Sequence, residues 1–192
     1  MKRALATVSL IGLPLILLAG CGSGGDDSTN SSVPALPQAR DLRAMVLTSD
    51  DVNRFPEGSP TRALSEWWRA IQFRDIEAAK PLYASGVKVD DLEHQVASLS
   101  PALSASRPSV VDIDETDNAA KLYVIVQTLP LRATGQVRGG GTRAVETPVV
   151  FRLVKQDGVW KLADNSYIDQ RVRAQEQASR AAVQAQPQGG GT

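Results

Sequence analysis

Asp157-Gly158 constrains this chain more than any other pair of residues in it. An Asp-Gly pair favours the two-residue hairpin turn with both central residues at positive φ, whose twist matches that of the flanking strands. Pairing outwards sets Lys155 opposite Trp160, Leu153 opposite Leu162 and Phe151 opposite Asp164. In that register Phe151, Leu153, Trp160 and Leu162 share one face, while Arg152 and Lys161 take the other. Turn chemistry and burial select the same pairing, so an antiparallel hairpin is predicted here.

A second hairpin precedes it. Val111 and Ile113 alternate on one face from Pro108 onwards, and Leu122, Val124 and Val126 alternate in the next segment. The turn falls around Thr116-Asp117-Asn118. A two-residue loop puts Ile113 opposite Leu122, and a four-residue loop puts Val111 there. Either choice keeps the apolar parity. Between the hairpins, Leu131 to Val145 carries Gly139-Gly140-Gly141, read as a mobile hairpin tip because no Gly-Lys-Ser/Thr follows to make a phosphate loop.

The segments before Pro108 have helical period. Ser59-Pro60 suits an N-cap and first helical position, and Leu64, Trp67, Trp68 and Ile71 follow at i, i+3, i+4 and i+7. Arg62, Glu66 and Arg69 take the opposite side. Asp75 to Lys80 begins a short helix, capped by Asp75, that Pro81 ends or kinks. Asp90 to Leu103 is predicted as a third, with Asp90 and Glu93 as a box-like start and Leu92, Val96, Leu99 and Leu103 as its buried stripe. Leu42 to Val52 reads as one short packing helix, with Leu42, Met45 and Val46 on a stripe. After Ile168 the chain is helix-prone, but Val172 and Val183 are its only sizeable apolar groups, so a loosely docked or solvated helix is expected before a disordered end. Helices first and a curved antiparallel sheet after them make an α+β fold.

This order resembles the nuclear-transport-factor-2-like, or cystatin-like, superfamily and its small bacterial lipoproteins. The resemblance rests on Trp68-Arg69-Ala70-Ile71 with Asp75 and Ala78-Ala79, on Ala119 to Val126, and on Val149 to Val154 with Gly158 to Leu162. It spans about residues 58–168. It implies helices covering the concave side of the sheet around a conical pocket, which members use for binding or for catalysis.

The beginning of the chain points to a compartment. Lys2 and Arg3 precede the uncharged run Ala4 to Ala19, with Gly12 and Pro14 inside it. A charged start, a short apolar run and small residues are the parts of a secretory signal, and the run is too short to span a bilayer. Leu18-Ala19-Gly20-Cys21 resembles the bacterial lipobox, which implies cleavage between Gly20 and Cys21 and a lipid on the Cys21 thiol. Two or more acyl chains anchor stably where one does not. Residues 1–20 are then a lipoprotein signal peptide, 21–40 a flexible tether with a reach of roughly 25 Å, 41–168 one folded domain, and 169–192 the tail. The expected location is the extracytoplasmic face of the cell membrane. Cys21 is the only cysteine, so no disulfide forms within the chain and stability must come from a packed core.

Charge excludes one partner class. The chain has 21 basic and 21 acidic residues, and removing residues 1–20 takes Lys2 and Arg3 but no acid, leaving 19 against 21. Such a balance has no electrostatic footprint for nucleic acid. Asp112, Asp114 and Asp117 lack the glycine and the closing acid of a calcium loop, so no metal or cofactor is expected.

Catalysis in such a cone needs a base and an oxyanion donor. The available groups are Asp75, His94 and Tyr123, with Tyr83, but helix capping, an exposed helix position and sheet packing account for them more simply. Trp67, Trp68, Tyr83, Phe151 and Trp160 are expected as core, with some of them lining an apolar ligand cavity. The first expectation is therefore a non-enzymatic, membrane-anchored lipoprotein that binds a small apolar ligand or an envelope protein. An exported isomerase- or dehydratase-like enzyme is the alternative. A scaffold with a filled cone, acting through its surface, is the third.

Overall fold

Thr48 and Asp51 decide how the folded domain begins. The Asp51 amide donates to the Thr48 hydroxyl at 3.1 Å, and the Thr48 amide donates to the Asp51 carboxylate at 3.0 Å. This reciprocal box starts a helix at Ser49. The segment expected as one helix over Leu42 to Val52 is therefore two, α1 (Leu42–Met45) and α2 (Ser49–Asn53). In the computed structural model the described residues are 42–130 and 143–184. Gly20, Cys21, the tether and the triglycine stretch lie outside them.

Ser59 and Pro60 open α3 (Pro60–Gln72) as predicted, the Arg62 amide donating to the Ser59 hydroxyl at 3.2 Å. Leu64, Trp67, Trp68 and Ile71 are all buried. The helix stops at Arg74, which sits at φ 59° while the Asp75 amide donates back to the Ala70 carbonyl at 2.9 Å. That is a left-handed C-terminal cap occupied by a residue with a Cβ. Asp75 caps α4 (Ile76–Ala79), accepting the Ala78 amide at 3.0 Å, and Pro81 lies in the 3₁₀ turn Lys80–Leu82 that follows. Helix α5 (Leu92–Ser104) buries Leu92, Val96, Leu99 and Leu103. Its N-cap is Asp91, whose side chain makes no capping bond, so the box expected from Asp90 and Glu93 does not form.

Four antiparallel strands follow in chain order: β1 (Ser106–Glu115), β2 (Ala119–Thr128), β3 (Val145–Gln156) and β4 (Val159–Leu162). The β1–β2 turn holds two residues, and Ile113 pairs with Leu122. A bulge at Val111 changes the expectation for that strand. Val110, not Val111, stands opposite Val124, and Val111 and Ile113 are exposed. A bulge bends its strand and sharpens the local twist, which curves the sheet. The β3–β4 hairpin has Lys155 opposite Trp160 and Leu153 opposite Leu162, with Asp157 and Gly158 both at positive φ. Phe151 does not reach Asp164, because the ladder ends with the Ala163 amide on the Arg152 carbonyl at 2.8 Å. Asp164 turns away to accept the Ser166 amide at 3.0 Å and starts α6 (Ser166–Gln184). Helix α6 buries Tyr167 and Ile168 and runs exposed from Arg173 onwards.

Helices therefore cover one face of a curved antiparallel sheet, an α+β arrangement. The core lies between α3 and the inner face, where Ala120, Leu122, Val124, Val126, Phe151 and Leu153 alternate inward. Gln72 closes one end of it. Its carbonyl oxygen accepts the Leu47 amide at 3.0 Å, and its amide nitrogen donates to Met45, Leu103 and Ser106 carbonyls at 3.0, 3.3 and 2.7 Å.

Candidate functional site

The space between α3 and the sheet is where a cone-shaped pocket would open, and aromatic side chains occupy it. Trp67 stands edge-on to Trp68, Tyr83 and Phe151 with ring centroids 6.0, 6.0 and 5.8 Å apart. Tyr167 closes the group, 5.2 Å from Trp68 and 5.4 Å from Phe151. Each of these rings is at most 7% exposed. Such pairs add about 0.5–1.5 kcal/mol each beyond the apolar area they bury. Trp160 is also buried, under the Lys155 ammonium at 5.3 Å from its ring, and it lines a cavity of about 300 Å³ beside the Glu57–Ser59 turn.

A polar chain anchors the edge of this cluster. The Tyr83 hydroxyl donates to the Asn165 side-chain carbonyl at 2.7 Å. The Asn165 amide donates to Gln95 at 3.1 Å and to Asp169 at 3.2 Å, and the Gln95 amide donates to Asp169 at 3.1 Å. The turn after α4, helix α5 and the start of α6 are thereby tied together. Burial pushes both interior phenols up, Tyr167 to about 12, and the Asp169 and Asp164 carboxylates raise Tyr83 further. The Trp67 indole N–H and the Tyr167 hydroxyl are buried without a hydrogen-bond partner among the described residues.

Asp75, His94 and Tyr123 are not brought together. Asp75 is spent on capping α4 and lines a groove outside α3. His94 lines a different groove, about 480 Å³, between α5 and α6. Tyr123 is 38% exposed on the outer sheet face, between Asp112 and Val150 and in alternation with buried Leu122 and Val124. Among the described residues no group of three or more His, Cys, Asp or Glu side chains is placed to hold a metal ion.

Two features of this region escaped the sequence reading. Gln72 and Asn165 are buried amides whose partners lie up to 34 and 82 residues away. The one available signal was a glutamine falling on the buried stripe of α3, where a polar group must find partners. The second feature is the groove outside α3. It holds about 490 Å³ and is lined by α2, the outer face of α3, α4 and Leu82. The sequence places Arg62, Glu66 and Arg69 on the side of α3 opposite its apolar stripe and shows no groove there.

No protein-family model matches the chain, and no curated protein matches it. Solved structures are similar at low identity. A protein of unknown function with a cystatin-like fold from Nostoc punctiforme is 15% identical over 62% of this chain and 91% of its own, with a TM-score of 0.43. An NTF2-like protein of unknown function from Shewanella baltica is 13% identical over 55% of this chain and 86% of its own, TM-score 0.40. Another, from Shewanella oneidensis, is 11% identical over 54% of this chain and 91% of its own, TM-score 0.39. Neighbours at such identities carry no substrate or reaction to this chain.

Proposed function

We propose that this chain is an extracytoplasmic lipoprotein, held to the membrane by acyl groups on Cys21, whose folded domain is a non-catalytic binding module working from its surface. The single observation that carries the second half is the occupied interior. Trp67, Trp68, Tyr83, Phe151 and Tyr167 fill the place where a substrate would sit. Of the groups weighed for an isomerase or dehydratase, Asp75 and His94 line outer grooves and Tyr123 lies on the outer face of the sheet. Surface grooves of 300–490 Å³ are of a size that takes small ligands or a short partner segment. The first half is supported by Leu18-Ala19-Gly20-Cys21 at the end of the apolar run. No helix among the described residues is long and apolar enough to cross a membrane.

Fractionation of cells expressing the full chain and its Cys21→Ala variant tests the anchor. The natural chain sediments with membranes, carries the added mass of acyl groups and begins at the cysteine. Cys21→Ala is released or stays as an uncut precursor. Equal membrane retention of the variant after normal cutting would refute the anchor.

A further inference from the structure

The two arginines on the outer face of α3 are in opposite states. Arg62 is paired: its guanidinium donates to Glu66 at 3.0 Å and to Asn53 at 3.2 Å, with the Glu57 carboxylate 3.9 Å away. Arg69, two turns further along, meets no carboxylate and no carbonyl among the described residues. Its Nε is buried without a partner. Its guanidinium lies over an aromatic face, the central carbon 5.0 Å from the centre of the Phe73 ring. Phe73 is itself 57% exposed at the end of the helix. Both residues line the groove of about 490 Å³ between α2, α3 and α4.

We infer that this groove binds an organic monocarboxylate with an apolar tail, and that Arg69 is its anion anchor. Each half of the ligand follows from a side chain. A guanidinium is a planar fork of donors with no acceptor of its own, and stacking on a ring fixes its plane while leaving its donor edge unused. The partner that satisfies such an edge with two parallel bonds is a carboxylate. The walls beyond it are apolar: Val52 from α2, Ala70 on α3, Ala78 on α4, and Leu82. They offer burial to a hydrocarbon tail, beside the polar Ser49 and Asn53 of α2 and the Arg62 guanidinium, which is already held by Glu66 and Asn53.

The rest of the rim sets the charge. Glu66 and Asp75 also line the groove, so a ligand with several negative charges is repelled where one with a single carboxylate is not. Asp75 forms no ion pair with Arg69 among the described residues, and its Oδ1 accepts the Ala78 amide at 3.0 Å. Glu66 is likewise taken by Arg62. The groove therefore combines one unpaired guanidinium, an aromatic ring beneath it and the apolar side chains of Val52, Ala70, Ala78 and Leu82. This gives the surface-module reading above a site and rests on that reading.

The test uses the full chain carrying Cys21→Ala, which leaves residues 42–184 unchanged, with 4-phenylbutyrate and decanoate as probes. Their uncharged alcohols and inorganic phosphate are the controls. Calorimetry gives affinity, and amide chemical shifts give the location. The carboxylates bind with shifts at Ala70, Phe73 and Ala78, the alcohols bind roughly tenfold more weakly, and phosphate does not compete. Arg69→Gln loses roughly tenfold or more, Arg69→Lys falls between, and Arg180→Gln, on α6 away from the groove, stays within about twofold. An unchanged spectrum of each free variant confirms that it is folded. No binding of either carboxylate at millimolar concentration, or equal affinity in Arg69→Gln, overturns the inference while leaving the surface-module reading standing. Binding with shifts at Leu122, Phe151 and Leu153, on the inner face of the sheet, overturns both.

Discussion

Replacing Gln72 by leucine should be the most damaging near-isosteric change in the domain. The side chain is 7% exposed and makes four bonds to main-chain groups from three separate segments. Leucine keeps most of the volume but none of the polar atoms. The Leu47 amide then loses its recorded acceptor, at a cost of about 1–3 kcal/mol for a buried orphan donor. The Met45 and Ser106 carbonyls lose their short bonds, worth about 0.5–1.5 kcal/mol each. The Leu103 bond is the longest of the set, and two N–H groups serve three acceptors, so it adds little. Against this, the added apolar surface returns about 1 kcal/mol. The net loss is about 1–5 kcal/mol, about 3 at the centre of that range, or a fall in Tm of roughly 10 °C for a domain of this size. Thermal and urea unfolding followed by circular dichroism read it directly. Gln72→Glu separates hydrogen bonding from packing. A glutamate can still accept from Leu47, but when ionised it faces three carbonyls, so its folded pKa is raised above the unfolded value of about 4.3. Stability of that variant is then greatest below the unfolded pKa and is lost as pH rises through the folded one. A Gln72→Leu protein within about 1 kcal/mol of the natural one would refute the staple.

Arg74→Gly should stabilise the domain by up to about 1 kcal/mol, since glycine adopts the left-handed cap without a Cβ penalty, and a fall in Tm would contradict the reading of φ 59°. Alkaline unfolding should follow Tyr83 and Tyr167. Both phenols are raised by burial, Tyr167 to about 12. Their contribution is therefore complete below the unfolded pKa of about 10 and is lost as pH rises through the folded values. Phenolate absorbance for these two should appear together with loss of the fold, and their ionisation near pH 10 in an intact protein would contradict it.

Local signals carried much of the fold and little of the site. Helix α3 was legible because its cap, its proline and its apolar stripe are all written within 13 residues. The β3–β4 register was legible because Asp157-Gly158 and the alternation beside it agree. Two features were misread where short-range chemistry competes. Thr48 and Asp51 break a stripe that periodicity alone makes continuous, and the start of α5 falls on Asp91, one residue from the expected box. The bulge at Val111 is not announced by the alternation of β1, because one inserted residue moves every pair before it by one place and puts Val110, not Val111, opposite Val124. The candidate groove was not legible. Arg62 and Arg69 sit on the same polar face, and only tertiary placement reveals that one is paired and the other is not. Likewise Tyr83 and Asn165 are 82 residues apart, and nothing local announces that they bond.

The central claim is that side chains, not a ligand space, occupy the interior between α3 and the sheet. A crystal of the folded domain pressurised with xenon tests this most directly, because xenon enters apolar cavities and leaves packed cores alone. No xenon should appear among Trp67, Trp68, Phe151 and Tyr167, and any bound atoms should lie in the outer grooves. An ordered xenon atom within that aromatic cluster would contradict the filled interior and return the cone to the list of working sites.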